Sequence, residues 1–68
     1  MGPLPYRTIV EWSPEDDAFL ARVPALGAIG HGDSVEEAIR EATIGAEAIL
    51  EAMRDEHRTL PAPEMNPA

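Results

Sequence analysis

The chain has no cysteine, and that one absence removes disulfide stapling, thiolate zinc sites and a cysteine nucleophile together. A reducing compartment fits, and the cytoplasm is the expected location. No apolar run approaches the roughly 18 residues of a membrane span, and Met1 to Pro5 lacks the charged and apolar regions of a signal peptide. Basic residues are also scarce. Five cations stand against 13 Asp and Glu, for a net charge of −8, and the five arginines at 7, 22, 40, 54 and 58 are scattered rather than clustered. Such a field repels phosphate backbones, whereas nucleic-acid readers concentrate Lys and Arg on one face. No direct contact with nucleic acid is expected. The acidity suits either solubility or a basic partner.

Chemistry-bearing motifs are missing as well. There is no phosphate loop, no nucleophile elbow and no paired acids, so no catalytic residue is assigned and a non-enzymatic protein is expected. Asp16 and Asp17 are adjacent and splay apart in a strand or a turn, with nothing to complete a metal shell. No metal or cofactor is expected. His31, between Gly30 and Gly32, could act as a general base in a small hydrolase, but no residue is spaced to orient it, and a turn is the better reading. Sixty-eight residues make one domain, which buries only about 60% of its unfolded surface. Self-association as a dimer or tetramer, or a protein partner, is therefore expected.

What is present reads as a small α+β domain at residues 6–63, with a flexible lead-in at 1–5 and a frayed tail at 64–68. Tyr6 to Trp12 is β-branched and aromatic and predicts a strand. Tyr6, Thr8, Val10 and Trp12 share one of its faces, and Arg7, Ile9 and Glu11 the other. Ser13 to Asp17 forms a hairpin loop, with Pro14 early and the aspartates late. Ala18 to Val23 is the second strand, stopped by Pro24, and Pro24 to Gly27 makes a corner. A short third strand occupies Ala28 and Ile29, with Gly30 to Gly32 as its irregular exit.

Ser34-Val35-Glu36-Glu37 opens a helix by a capping box, in which the Ser34 hydroxyl accepts from the Glu37 N–H and the Glu37 carboxylate accepts from the Ser34 N–H. The helix runs to Glu56, roughly 33 Å at 1.5 Å per residue. Val35, Ala38, Ile39, Ala42, Ala46, Ile49 and Met53 form its inward stripe. The opposite face carries Glu37, Arg40, Glu41, Glu47, Glu51 and Asp55 around a lone Ile44. His57 falls in the C-cap region, where a left-handed residue is usual. Thr59-Leu60 before Pro61 supplies a fourth, edge strand.

The order β-β-β-α-β packs one long helix on one face of an antiparallel sheet. The other sheet face is left uncovered, and Ile9, Phe19 and Leu20 are its candidate oligomer contacts. Two surfaces are candidates for binding a partner: Ile44 with Glu47 and Glu51 on the helix, and the hairpin around Trp12, Asp16 and Asp17.

Four pieces occur in order: the strand from Tyr6 to Glu11-Trp12; Phe19 to Val23 followed by Pro24-x-Leu26; Gly32-Asp33-Ser34-x-Glu36-Glu37-Ala38; and Leu60-Pro61-x-Pro63. Together they resemble the HicB-like antitoxin family, in particular its partly degenerate RNase H-like domain, over Tyr6 to Pro63. The resemblance implies a type II toxin–antitoxin module that neutralises a small basic HicA ribonuclease by covering its active site. Many family members add a carboxy-terminal DNA-binding segment that has no counterpart in these 68 residues, so toxin masking without direct operator contact is expected. The chain departs from the family at Leu26-Gly27-Ala28-Ile29, where Leu-Pro-Gly-Cys is usual, and at His57, where glycine is common. The alternative function is a freestanding, self-associating binding or scaffold module without a toxin.

Overall fold

The computed structural model describes residues 5–63, and both ends of the lead-in and tail assignments at 1–4 and 64–68 lie outside the described residues. Strands β1 (Ile9–Ser13), β2 (Ala18–Val23) and β3 (Ala28–Gly32) are followed by helix α1 (Val35–Asp55). The sheet is antiparallel in the order β1-β2-β3, and α1 lies across one face, chiefly over β3 and least over β1. This is the expected α+β, two-layer arrangement. It has three strands among the described residues rather than four.

Each hairpin is set by local chemistry. In the first, Ser13 pairs with Ala18 across a four-residue turn. The Asp16 N–H donates to Ser13 Oγ at 3.3 Å, and the same hydroxyl donates to Asp16 Oδ2 at 3.0 Å. Asp17 takes the left-handed conformation at φ 52, which aspartate tolerates better than most residues. In the second hairpin the N–H groups of Leu26 and Gly27 both donate to the Val23 carbonyl, and Gly27 turns the chain at φ 70.

β1 begins at Ile9, not Tyr6, for a reason visible in the register. Ile9 faces Arg22, so by the same register residue 7 would fall opposite Pro24, where β2 has ended, and the ladder closes at Ile9. Tyr6 turns into the core instead, and its hydroxyl donates to the Pro61 carbonyl at 2.7 Å. That contact also holds the segment assigned as a fourth strand: Thr59 and Leu60 form no ladder, and Leu60 packs as a side chain against the core.

The largest correction concerns Gly30 to Gly32, which continue β3 as a regular strand. A Cβ on Gly30 would lie 2.2 Å from the Ala42 nitrogen and 2.6 Å from the Ala38 carbonyl oxygen; one on Gly32 would lie 2.5 Å from the Ala38 nitrogen. The glycines are there because helix backbone rests directly on strand backbone. The buried helix residues are accordingly Ala38, Ala42 and Ala46, joined by Leu50. Ala21, Val23, Leu26, Ala28 and Tyr6 complete the core, and Val23 is its largest fully buried side chain. Ile49 and Met53 pack against it as expected. Val35 and Ile39 do not belong to the inward stripe: they remain 39% and 37% exposed.

Both helix ends are closed. Ser34 Oγ accepts from the Glu37 N–H at 3.1 Å, while Glu37 Oε1 accepts in return from the Asp33 N–H at 3.3 Å, one residue earlier than a standard capping box. At the far end the Arg58 N–H donates to the Met53 carbonyl and the His57 N–H to that of Arg54, with His57 at φ 57. This is the double closure of a Schellman motif, in which an L-residue occupies the position glycine prefers.

Two stability measurements follow. Gly30→Ala should cost about 3 kcal/mol by driving a methyl into α1, whereas Gly45→Ala, whose added Cβ meets only Ala28 Cβ at 4.0 Å, should stabilise the helix by about 1 kcal/mol. Urea midpoints at unchanged slope give both values; equal effects would mean that the helix does not rest on β3. His57→Gly should raise stability by about 1 kcal/mol by relieving the left-handed backbone, and a lowered thermal midpoint would exclude that conformation.

Candidate binding surfaces

The β1–β2 hairpin and the start of α1 lie at one end of the molecule, because Phe19 pairs with Gly32 only two residues before Ser34. Trp12 and Phe19 are cross-strand partners on the helix side of the sheet, with ring centroids 5.0 Å apart in an edge-to-face arrangement. Such a pair contributes roughly 0.5–1.5 kcal/mol beyond its burial. Phe19 packs on the core, but Trp12 remains 48% exposed, because α1 barely reaches β1. Glu15, Asp16 and Asp17 are exposed on the turn beside it.

Val35 and Ile39 belong to this same end. Gly32, the last residue of β3, abuts Glu37 and Ala38, so Val35 projects past the end of the sheet. Ile39 lies about 20° from buried Leu50 by the helical rotation, on the flank of α1 that faces β2 and β1. Trp12, Val35 and Ile39 are therefore apolar side chains left in water at an end edged by Glu15, Asp16, Asp17, Asp33 and Glu36. The periodicity of α1 groups Val35 and Ile39 with the core because it carries no information about where the sheet ends. The repeat Ala38-Ala42-Ala46 marks the true contact line, since only small residues permit so close an approach.

The helix residues Ile44, Glu47 and Glu51 form a separate surface. Ile44 begins about 14 Å along α1 at 1.5 Å per residue and is 55% exposed. Glu47 and Glu51 line a shallow hollow with Leu50 and Arg54. The six expected partner-binding residues thus divide: Trp12, Asp16 and Asp17 share the hairpin end, and the helix trio does not join them.

The sheet face away from α1 carries Ile9, Glu11, Ser13, Ala18, Leu20, Arg22, Ile29 and His31, as the register dictates. Ile9 and Leu20 lie there as expected. Phe19 does not; strand alternation directs it to the helix side. Glu11 and Arg22 approach to 3.4 Å with both side chains about half exposed, a pair worth roughly 0–1 kcal/mol. His31 stands in the row with Leu20 and Glu11 and is exposed. Among the described residues no group of three or more His, Cys, Asp and Glu side chains could hold a metal ion, and no helix is long and apolar enough to cross a membrane.

In comparisons with protein-family models, curated proteins and solved structures, the chain matches none.

Trp12 is the single tryptophan, so its fluorescence reports the hairpin end alone. The free protein should show a solvent-exposed emission spectrum that acrylamide quenches readily; a blue-shifted, protected spectrum would mean that something already covers the ring.

Proposed function

We propose that this chain is a non-catalytic, antitoxin-like module that binds a small basic ribonuclease of the HicA type and occludes its active site. The observation that carries the reading is the hairpin end: a half-exposed tryptophan backed by Phe19 beside three exposed turn carboxylates, on a chain of net charge −8. Acidic surroundings steer a cationic partner to the surface, and an aromatic anchor holds it once water is excluded. The order β-β-β-α supports the reading as far as the helix; the fourth strand expected of the resembling family is not found among the described residues. Glu47 and Glu51 extend the acidic field along α1 without contacting this end.

A freestanding, self-associating module is the second reading. It is favoured by the open sheet face, where Ile9, Leu20 and Ile29 stand among four polar side chains, Glu11, Ser13, Arg22 and His31.

The test mixes the protein with a HicA-type ribonuclease and follows both Trp12 emission and RNA cleavage. A blue shift that saturates as cleavage stops is expected. Trp12→Ala should weaken binding by about 30-fold, the scale of an interface hot spot of ~2 kcal/mol. Reversing Glu15 and Asp16 to lysine should slow association at low ionic strength and have little effect at high salt. Cleavage undiminished at saturating protein would refute the antitoxin reading.

A further inference from the structure

We propose that the free edge of β1 is a docking site for an extended, basic segment of a partner protein, which adds to the sheet as a further strand and seats its apolar side chains beside Trp12. The proposal deepens the reading above by saying how the partner is held, and it rests on that partner being basic, not on its being a ribonuclease.

The sheet order β1-β2-β3 makes β1 and β3 its edges, and each edge presents outward N–H and C=O groups to which a strand can add. The two differ on the helix side. At β3, α1 backbone lies directly on Gly30 and Gly32, with Glu37 and Glu41 alongside, so a strand added there would find helix backbone and acids. At β1 the helix side carries Val10 and Trp12, and α1 hardly reaches them. Val10 is half-buried and Trp12 is 48% exposed. The indole has Phe19 as its cross-strand neighbour on one side and no strand on the other.

The helix supplies a facing wall. Gly30 and Gly32 lie under residues 37, 38, 41 and 42, whereas the buried helix residues run from Ala38 through Ala42 to Ala46. Rotation from the first set to the second is therefore directed from the β3 edge into the sheet, and about 20° beyond Ala46 it reaches Ile39, about 60° beyond it Thr43. Ile39 is 37% exposed and Thr43 is half-buried. Val10, Trp12, Ile39 and Thr43 thus line an apolar step between β1 and α1 that is open along the β1 edge.

Charge selects the occupant. In a strand laid along β1, side chains alternate between the step and the open sheet face. Those on the open face fall beside Glu11, whose side chain stays 55% exposed even in its 3.4 Å pair with Arg22. Those at the Ser13 end approach Glu15, Asp16 and Asp17, all exposed. Opposite charges across a strand pair are favourable and like charges are not, so the fitting sequence alternates apolar residues with arginine or lysine. The same rule disfavours a second copy of this chain: antiparallel pairing of two β1 edges about their middle sets Glu11 against Glu11, between molecules of net charge −8. In strand addition the main-chain hydrogen bonds supply affinity and the alternate side chains supply specificity. Here the apolar row would cover Trp12 on its open side while the cationic row meets Glu11.

Amide hydrogen exchange on the full chain, free and in complex with a HicA-type ribonuclease, tests the proposal. In the free protein alternate amides of Ile9 to Ser13 should exchange as an open edge; in the complex they should be protected, while the outward amides of β3 stay unchanged. Glu11→Lys should weaken binding about tenfold at unchanged circular dichroism, and Glu51→Lys, with the same change in net charge, should weaken it far less. A complex that blue-shifts Trp12 but leaves β1 exchanging as in the free chain overturns strand addition and spares the occlusion reading. If the ribonuclease does not bind, that reading fails alone, and a synthetic peptide Arg-Ile-Arg-Ile-Arg decides this one. It should shift the β1 amide resonances and the Trp12 emission, whereas Glu-Ile-Glu-Ile-Glu should not. Equal responses to the two peptides, or no response to either, overturn the proposal.

Discussion

The rest of the structure depends on helix backbone resting on strand backbone at Gly30 and Gly32. With Cβ positions there falling 2.2–2.5 Å from α1 backbone atoms, no other residue fits without moving the helix. This contact sets the height of α1 above the sheet, and the height decides what else the core accommodates: alanines at 38, 42 and 46, and only Val23 as a large, fully buried side chain. Close approach substitutes dispersion contacts of packed backbone for burial of large side chains. It also fixes the helix chiefly over β3 and hardly over β1, which leaves Trp12 short of cover.

Much of the fold is legible in local sequence because its signals are self-contained. Ser34 and Glu37 close the helix start, His57 takes the left-handed turn at its end, Pro24 stops β2, and Ser13 to Asp17 makes a hairpin; each rests on groups within a few residues of one another. Gly30 and Gly32 mislead for the opposite reason. Read locally, Gly-His-Gly breaks a strand, and only the helix that packs on it, supplied by residues 38–42, turns those glycines into a requirement. Tyr6 and Leu60 were similarly placed in strands by their β propensity, which registers a pleated, half-buried surface and not the existence of a neighbouring strand.

The candidate surfaces were legible to the same degree. Trp12 with Asp16 and Asp17 is visible from sequence because a hairpin brings near neighbours together. Ile44 is visible because helical rotation puts an isoleucine among acids, yet rotation alone does not give its distance from the hairpin. Val35 and Ile39 escaped because periodicity sorts residues around a helix and says nothing of the extent of the surface beneath it. Phe19 was assigned to the open face because strand alternation is only as good as its register, and its pairing with Trp12 across the hairpin settles the side it takes.

Length explains how the remaining core is assembled. α1 spans 21 residues, about 32 Å, while the longest strand has six, about 20 Å. The carboxy-terminal third of the helix therefore extends past the sheet, and strand residues cannot bury Leu50, Ile49 or Met53 there. Irregular chain does so instead: Tyr6 from before β1, Leu26 from the β2–β3 corner and Leu60 from beyond the helix all join the same cluster. The Tyr6 hydroxyl on the Pro61 carbonyl ties the first and last of these together across 55 positions. The Schellman closure at His57 aims the chain back so that Leu60 can reach. The two ends of the domain are thus held by one core and one hydrogen bond, at the end of the molecule opposite Trp12, which leaves the hairpin end without a structural task of its own.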